Sequence, residues 1–300
     1  MDQVSSATRV DSTQERSVIQ AACWGTRGSI ASPGPDTVRF GGNTPCLEIK
    51  LQDGRRFIFD AGTGIRLLGE SMMDEPGTPD AAIFFTHFHW DHVQGFPFFL
   101  PLYDPNASLR IIGPDPGHTD IKNLLATQMS SIHFPVPFAA LSAQKEFSNI
   151  SDGVWEEDGF CVRAMRMRHP SFTVGHRIEY DGVSLAYVPD NELAGEGYDV
   201  GDGWRKRLVD FLGDVDVLIH DAMFTDEEYG TRSDWGHSTF SQAVELGHEA
   251  GVKKLLFFHH DPRRSDQELS EILAVQRTTA AARGYSMDID AAAEHDEIIL

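Results

Sequence analysis

Four side chains that can bind a metal lie within six consecutive residues, directly after a short apolar segment. The segment 81–85 reads Ala-Ala-Ile-Phe-Phe, which predicts a strand that is buried on both faces. His87 and His89 follow two positions apart, so in an extended chain their side chains point to the same side. Asp91 and His92 come directly afterwards. The chain must therefore fold so that the end of one buried strand accommodates four polar side chains.

This cluster favours a metal site over a loop that is merely polar. Placing four such side chains at the end of a buried strand has a desolvation cost unless something pairs with them. Neutral imidazoles and carboxylates suit Zn²⁺ and its first-row neighbours. We therefore predict a metal site, which Asp91 and His92 approach from the start of a helix over about 92–103.

Further ligands must come from elsewhere in the chain, since one cluster cannot saturate two metals. We look for them at strand ends, on loops and beside Pro or Gly. His169 precedes Pro170, Asp190 ends a predicted hairpin, and His259 ends the apolar segment 255–258. These three residues complete a predicted set of seven ligands. His87, His89 and His169 would hold one metal, Asp91, His92 and His259 would hold the other, and Asp190 would bridge the two.

Strand and helix signals elsewhere in the sequence predict an α/β fold. Asp53-Gly54 and Asp181-Gly182 each separate two strand-like segments, and Asp-Gly is a strong hairpin signal because both turn positions need a positive φ. Thr239 and Gln242 form a capping box at the start of an amphipathic helix, and a last helix is expected over 266–282. We therefore expect mixed sheets packed as a sandwich, with helices on the outside.

The composition bounds the organisation of the chain and its compartment. Residues 1–17 are rich in Ser, Thr, Gln and charge, which predicts a flexible N-terminal tail. No linker interrupts the rest, so residues 18–300 are predicted to form one domain. No apolar run reaches the roughly 18 residues of a membrane span, and three widely spaced cysteines form no disulfide framework. We therefore expect a cytoplasmic protein without a membrane partner.

The charge balance constrains the partners that the chain can bind. Its 25 Lys and Arg residues stand against 46 Asp and Glu residues, which gives a formal net charge of −21. A protein whose affinity depends on neutralising many phosphates is not expected to be this acidic. The charge argues against a long nucleic acid and leaves a small anionic substrate admissible, because bound metals would supply positive charge locally.

The motifs together resemble the metallo-β-lactamase superfamily, whose H-x-H-x-D-H signature appears as residues 87–92 and is followed by single His, Asp and His ligands. Within it the sequence is similar to the branch of ribonuclease Z and PhnP-like phosphodiesterases. Five further segments carry that similarity: Trp24-Gly-Thr-Arg-Gly-Ser29, Phe59-Asp-Ala-Gly-Thr-Gly64, Gly95-Phe-Pro97, Leu218-Ile-His-Asp-Ala222 and Gly236-His-Ser-Thr239. The resemblance implies a four-layer αββα sandwich of two mixed β-sheets flanked by helices. It also implies two divalent metal ions, expected as Zn²⁺ with Mn²⁺ as the alternative, and suggests a homodimer.

The resemblance also guides the assignment of catalytic residues. A pair of metals would lower the pKa of a bridging water, so that hydroxide is available near neutral pH, and Asp91 would orient it. His237 is the candidate general acid for the leaving alkoxide, and the resemblance implies that Asp221 orients its ring. Of the neighbours His259 and His260, we prefer His259 as the ligand, because the His-His-Asp-Pro segment aligns with similar endings in the branch.

These residues predict a dinuclear-metal phosphodiesterase that acts on a small or cyclic phosphodiester, such as a cyclic nucleotide. Ribonuclease Z has several dozen residues between its third His and its bridging Asp, and they include an arm that grips tRNA. Here only 21 positions separate His169 from Asp190, which leaves no room for that arm. Two alternatives stay open: a lactone or thioester hydrolase of the same fold, and a ribonuclease Z-type endonuclease that processes RNA 3′ ends.

Overall fold

The computed structural model of the protein describes residues 18–115, 117 and 119–300, so the tail predicted over residues 1–17 lies outside the described residues. The described chain forms two seven-stranded sheets. The first contains β1 (Ile19–Gly25), β2 (Cys46–Leu51), β3 (Arg56–Phe59), β4 (Ala81–Phe84), β5 (Ser108–Gly113), β6 (Gln144–Asn149) and β14 (Glu297–Ile299). The second contains β7 (Gly153–Glu157), β8 (Phe160–Arg166), β9 (Val174–Tyr180), β10 (Val183–Val188), β11 (Val217–Asp221), β12 (Lys254–Phe258) and β13 (Asp288–Ala291).

Both sheets are mixed, as predicted. The first has the strand order β14-β1-β2-β3-β4-β5-β6, and the second has the order β13-β12-β11-β10-β9-β8-β7. In the first sheet the strands from β3 to β6 are parallel, and in the second the strands from β10 to β13 are parallel. Within the described residues, seven α-helices accompany the sheets: α1 (Ile65–Asp74), α2 (Trp90–Val93), α3 (Ile121–Gln128), α4 (Trp204–Leu212), α5 (Asp226–Tyr229), α6 (Phe240–Glu249) and α7 (Asp266–Ala282).

Three apolar clusters divide the molecule into four layers. The central cluster lies between the sheets, where the rings of Phe57 on β3 and Phe160 on β8 stack with centroids 3.7 Å apart. A second cluster packs α1 and α3 on the outer face of the first sheet, and a third packs α4, α6 and α7 on the outer face of the second. This arrangement confirms the predicted αββα sandwich. Whether residues 18–300 constitute one domain stays a prediction.

Local signals in the sequence account for several element boundaries. Asp181 and Gly182 both have positive φ, of 47° and 86°, and join β9 to β10 as the predicted hairpin. The Thr239 side chain accepts a hydrogen bond from the Gln242 backbone N–H, and the Gln242 side-chain oxygen accepts one from the Thr239 backbone N–H. This confirms the capping box at α6. The last helix extends over Asp266–Ala282, as predicted.

The predicted helix over about 92–103 is wrong. The helix α2 ends at Val93, and two 3₁₀ turns follow it over Phe96–Phe98 and Leu100–Tyr103. Pro97 and Pro101 cause this difference, because proline has no backbone N–H to donate and its ring clashes with the preceding turn of a helix.

The topology gathers the predicted ligands at one edge of the sandwich. Parallel strands end at the same edge of a sheet. Strand β4 ends three residues before His87, β10 ends two residues before Asp190, and β12 ends directly before His259. His169 follows the end of β8 at this edge. Among the helices that the structure describes, none is both long and apolar enough to cross a membrane.

Candidate metal centre and active site

The structure brings all seven predicted ligands together. The ligand atoms of the first group all lie within 4.8 Å of one another, and so do those of the second group. The first group is His87, His89, His169 and Asp190, and the second is Asp91, His92 and His259. Asp190 contacts both groups: its Oδ1 lies 3.0 Å from His92 Nε2, and its Oδ2 lies 3.6 Å from His169 Nε2. Asp190 thus lies between the two groups, and its role as a bridging ligand stays a prediction.

Neighbouring groups orient three of the histidine rings. His92 Nδ1 lies 2.8 Å from an Asp60 carboxylate oxygen, and His87 Nδ1 lies 3.0 Å from Thr86 Oγ1. His169 Nδ1 lies 2.9 Å from the Gly236 carbonyl oxygen. Each contact occupies Nδ1 and leaves Nε2 directed at the centre. Metal-binding histidines in proteins are oriented in this way.

Unpartnered polar atoms indicate what the cluster binds. The Nε2 atoms of His87 and His92 and the Oδ1 atom of Asp190 are buried and make no hydrogen bond of acceptable geometry, although the last two lie 3.0 Å apart. Buried polar atoms without a partner are costly, and lone pairs that converge on one point are satisfied by a cation. The residues therefore fit two divalent cations, one in each group. Their binding of metal stays a prediction.

The protonation states within the first group also suit metal binding. Burial lowers the pKa of His169 to about 3 and holds the pKa of His87 well below its usual value. Burial raises the pKa of Asp190, but His259, His92 and His87 outweigh that effect and hold it well below its usual value. Neutral imidazoles and ionised carboxylates are the forms that bind metals.

His92 has the opposite protonation tendency. Burial lowers its pKa, but the carboxylates of Asp190, Asp91 and Asp60 raise it well above the usual value. A protonated imidazole cannot bind a metal, so uptake of a cation by the second group must displace this proton.

Two glycines let bare backbone approach the ligand rings. A Cβ atom at Gly28 would lie 2.3 Å from His259 Nδ1, and a Cβ atom at Gly236 would lie 2.3 Å from His169 Nδ1. Gly236 also has a φ of +92°, which L side chains rarely adopt. Ser29, next to Gly28, donates its backbone N–H to Asp91 Oδ2 at 2.8 Å. The loop over residues 24–29, which the sequence singled out, therefore packs directly against the second group.

His237 and Asp221 form a dyad beside the cluster. His237 Nδ1 lies 2.7 Å from Asp221 Oδ2, and the His237 ring stacks on the ring of His259 with centroids 4.8 Å apart. Burial lowers the pKa of His237, but Asp221, Asp190 and Asp91 outweigh it and raise that pKa to about 9. The imidazole can thus carry a proton at neutral pH, at a point where its ligand atom lies within 4.8 Å of those of Asp190 and His259.

The structure separates the roles of the two neighbouring histidines. His259 Nε2 lies 3.1 Å from Asp91 Oδ2, within the second group. His260 faces away from that group, and its Nε2 contacts the Ala292 carbonyl oxygen at 2.9 Å. The geometry therefore agrees with the choice of His259.

Glu192 is a buried residue that our sequence analysis missed. Its carboxylate accepts hydrogen bonds from the Tyr198 and Tyr229 hydroxyls at 2.5 Å and from the backbone N–H groups of Asp234 and Gly236 at 2.7 Å. The Gly236 carbonyl in turn contacts His169. The only signal in the sequence was an acidic residue two positions after Asp190, because three of the four donors lie 37 to 44 residues away.

Comparisons with known proteins agree with this architecture. A family model described as the beta-lactamase superfamily domain matches residues 55–260. Ribonuclease Z of Exiguobacterium sibiricum is 26% identical over 287 residues, with 81% of this chain and 89% of that protein covered. A diphosphatase of the PhnP family superposes with a TM-score of 0.65 at 18% identity, over 93% of this chain and 97% of that one. Zn²⁺-bound PqqB of Methylobacterium extorquens superposes with a TM-score of 0.68 at 16% identity, over 94% of this chain and 100% of that one.

The family match and the relatives named ribonuclease Z, together with the His and Asp cluster at one edge of the sheets, identify the chain as a metal-dependent hydrolase. The chain belongs to the β-lactamase superfamily, because the family model covers more than half of it. Within that superfamily it is similar to ribonuclease Z and to proteins of the PhnP family.

Proposed function

We propose that this protein is a dinuclear-metal phosphodiesterase of the ribonuclease Z type, with RNA as the substrate that its sequence relatives favour. The observation that carries the proposal is the His237–Asp221 dyad next to the two ligand groups. A leaving alkoxide needs a proton, and the contact with Asp221 favours a protonated His237 imidazole beside the cluster. This arrangement supports hydrolysis of a phosphodiester.

Each residue of the site has a defined part in this mechanism. Bound divalent cations would supply an activated water near neutral pH and positive charge for the phosphate oxygens. Asp91 Oδ2 accepts a hydrogen bond from the Ser29 backbone N–H and lies 3.1 Å from His259 Nε2. These contacts fix the carboxylate and leave its Oδ1 for a ligand or a water. Asp221 holds His237 Nδ1, so the proton that leaves is the one on Nε2. Nε2 then protonates the departing oxygen.

RNA is supported by the names of the sequence relatives. The Exiguobacterium protein and a relative from Picrophilus torridus, which is also 26% identical, are both named ribonuclease Z. This support conflicts in part with the expectation from charge, which argued against a long nucleic acid. Net charge describes the whole surface of the protein, whereas the RNA phosphate at the metal site interacts mainly with the charges close to that site.

A compact phosphodiester is the second candidate, because a hairpin within the sheet occupies most of the segment between His169 and Asp190. Two strands, β9 and β10, and their two-residue turn occupy most of that segment, and both strands lie within the sheet. The alignment with ribonuclease Z of Exiguobacterium sibiricum has 287 positions, and 81% of the 300 residues of this chain, about 243, fall within it. Roughly 44 residues of that protein are therefore aligned with gaps in this chain. Both observations support a site without a tRNA-gripping arm.

A lactone or thioester hydrolase is supported less well. A thiolate leaves readily without being protonated, so thioester hydrolysis does not need a dyad of the His237–Asp221 kind, whereas the alkoxide released from a lactone would use it as a phosphodiester does. No contact in the described residues specifically favours an acyl substrate over a phosphodiester.

A substrate panel on protein of known metal content tests the proposal. The panel contains bis(p-nitrophenyl) phosphate, 3′,5′- and 2′,3′-cyclic nucleotides, precursor tRNA, a lactone and a thioester. We expect diester hydrolysis that collapses in His87→Ala and persists in His248→Ala, a control on the exposed face of α6. Cleavage of precursor tRNA would favour RNA, and turnover of cyclic nucleotides alone would favour the compact substrate. Lactone or thioester turnover with inert diesters would contradict the proposal.

The metal, the assembly and the compartment belong to the same proposal. We propose Zn²⁺ with Mn²⁺ as the alternative, since imidazoles and carboxylates dominate the donor set. A homodimer and a cytoplasmic location complete the proposal.

A further inference from the structure

Arg27 is a fully buried arginine whose side chain has no part in the mechanism proposed above. It belongs to the loop over residues 24–29, which packs against the second ligand group through Gly28 and Ser29. A charged side chain is costly to bury unless hydrogen bonds compensate for the lost water. The partners of this guanidinium therefore indicate which part of the molecule it stabilises.

The guanidinium of Arg27 joins two segments of the chain through their backbone carbonyl oxygens. Its Nε and Nη2 atoms donate to the Gly41 carbonyl at 3.1 and 2.8 Å. Its Nη1 atom donates to the carbonyls of Asp261 and Arg264 at 3.1 and 2.8 Å. Asp261 and Arg264 lie in the turn that follows the ligand His259. The Arg27 side chain thus ties that turn to the segment around Gly41.

The backbone around Arg27 also pairs with the residue directly after His259. The Gly28 N–H donates to the His260 carbonyl oxygen at 2.9 Å, and the His260 N–H donates to the Thr26 carbonyl oxygen at 3.0 Å. Together they form an isolated parallel bridge between Arg27 and His260. Both backbone polar groups of His260 are therefore fixed by the loop that carries Arg27.

His259 needs this support because its own backbone lies in the left-handed region. Its φ is 60°, which residues other than glycine rarely adopt and which persists only where the surrounding structure imposes it. In this conformation His259 Nε2 lies 3.1 Å from Asp91 Oδ2, within the second ligand group. Release of the turn would allow the backbone to relax and would move this ligand atom.

We propose that Arg27 is a positioning residue for the second ligand group and that it raises the affinity of that group for a divalent cation. This inference rests on the proposed function, because it requires that the group binds a metal. The first group takes no ligand from the turn that Arg27 holds, so its affinity should depend on Arg27 much less. Arg27 thus acts unequally on the two metal sites.

Titration of the metal-free protein with Zn²⁺ alone tests the proposal, with calorimetry for the affinities and elemental analysis for the number of bound ions. We expect two Zn²⁺ sites in the wild type. Arg27→Met keeps the length of the side chain and removes its donors, so it should weaken one site about 10- to 100-fold, as the loss of a group that orients a ligand does. Arg27→Lys keeps the charge but has no fork of donors, and it should recover part of that affinity.

A second buried arginine separates positioning from a general loss of stability. Arg56 is buried and pairs with Glu48 at 2.6 Å. It begins β3, at the edge of the sheet opposite to the ligands that follow β4. Arg56→Met should therefore leave both Zn²⁺ affinities unchanged.

A double variant identifies the site that Arg27 affects. His259→Ala should remove the site that Arg27→Met weakens, so adding Arg27→Met to His259→Ala should cause no further loss of affinity. A further loss in the double variant would overturn the inference. Equal losses at both sites in Arg27→Met, or no loss at either, would also overturn it and leave the proposed function intact. If Arg27→Met does not fold, Arg27→Lys is compared in the same way.

Hydrogen exchange in the metal-free protein distinguishes the two possible failures. If the wild type binds no Zn²⁺, the proposed function fails, and exchange over residues 259–264 then decides whether Arg27 holds the turn. Faster exchange there in Arg27→Met, with normal exchange in Arg56→Met, would support the positioning role. Unchanged exchange in Arg27→Met would overturn it.

Discussion

At the scale of single residues, His237 owes its proposed role to one short contact with Asp221. A general acid matters most when the leaving group is a poor one. We predict that His237→Ala lowers kcat for a diester with an alkyl leaving group by roughly 10²- to 10⁴-fold. With p-nitrophenolate, which leaves without a proton, the loss should be much smaller.

Steady-state kinetics with both leaving groups check this prediction, and Asp221→Asn should show the same pattern to a lesser degree. An equal loss with both leaving groups would contradict an acid role. It would agree with His237 as a metal ligand, since its ligand atom lies near those of Asp190 and His259.

Asp60 illustrates how a residue outside the ligand groups can control metal affinity. Its carboxylate contacts His92 Nδ1 and accepts hydrogen bonds from the Thr86 backbone and from the Tyr187 hydroxyl at 3.1 Å. We predict that Asp60→Asn weakens metal binding about 10- to 100-fold, because the His92 ring loses its orientation. Calorimetric titration with Zn²⁺ measures this, and Asp74→Asn at the exposed end of α1 is the control. Unchanged affinity in Asp60→Asn would show that packing alone holds the ring.

The sequence could predict the candidate ligands better than their supporting partners. His87 to His92 lie in one motif, and His169, Asp190 and His259 lie at strand ends, so local pattern was enough to place them. The partner of His92 lies 32 residues away, and Tyr187 reaches Asp60 across 127 residues. Such contacts depend on how the two sheets face each other, which no local pattern encodes.

At the scale of elements, Glu192 joins two loops that flank the site. It ties the segment up to Tyr198 to the segment that leads from α5 to Gly236. We predict that Glu192→Gln loosens both, because the amide NH₂ would face two donors and leave them without an acceptor. Each buried group left unpaired costs roughly 1–3 kcal/mol.

Hydrogen exchange of the backbone around residues 229–236 measures the loosening, together with metal affinity at the first group. We expect faster exchange in Glu192→Gln and no change in Glu196→Gln, an exposed position in the same loop. Normal exchange in Glu192→Gln would mean that the tyrosines alone hold the loops.

The error over residues 92–103 has a physical cause that the sequence contained. The apolar spacing of this segment resembles that of a helix, but Pro97 and Pro101 divide it into 3₁₀ turns. The helix α2 is therefore only four residues long. The hairpin at Asp181-Gly182 was predictable because its turn residues require a backbone that few other residues adopt.

At the scale of the whole molecule, the net charge of −21 gives a test of the two substrate candidates. Basic nucleases lose affinity for nucleic acid steeply as the salt concentration rises, because salt weakens their contacts with the phosphates. For this chain we predict that the KM for precursor tRNA stays level or falls between about 50 and 200 mM salt, because screening reduces repulsion. The KM for a small diester should hardly change. A steep rise in the KM for tRNA would indicate a basic surface that the overall charge conceals.

The fold as a whole was more predictable than its details. Alternating strand patterns, Asp-Gly turns and a capping box each specify a local element, and together they predicted a sandwich of mixed sheets with outer helices; the four-layer αββα arrangement came from the family resemblance. The order of strands within each sheet was not accessible, since β14 pairs with β1 at the opposite end of the chain. That pairing joins the first sheet to a strand that follows all the strands of the second sheet in sequence.

The ligand groups draw on both halves of the sandwich, since residues 87–92 follow a strand of the first sheet and the remaining ligands follow strands of the second. Bound cations would therefore act as cross-links between the sheets. An ion that binds only the native state adds its binding free energy to folding, roughly 2.7 kcal/mol at a hundred times its Kd. Metal supply would then set the lifetime of the folded chain as well as its activity, and starvation for metal would remove the enzyme itself.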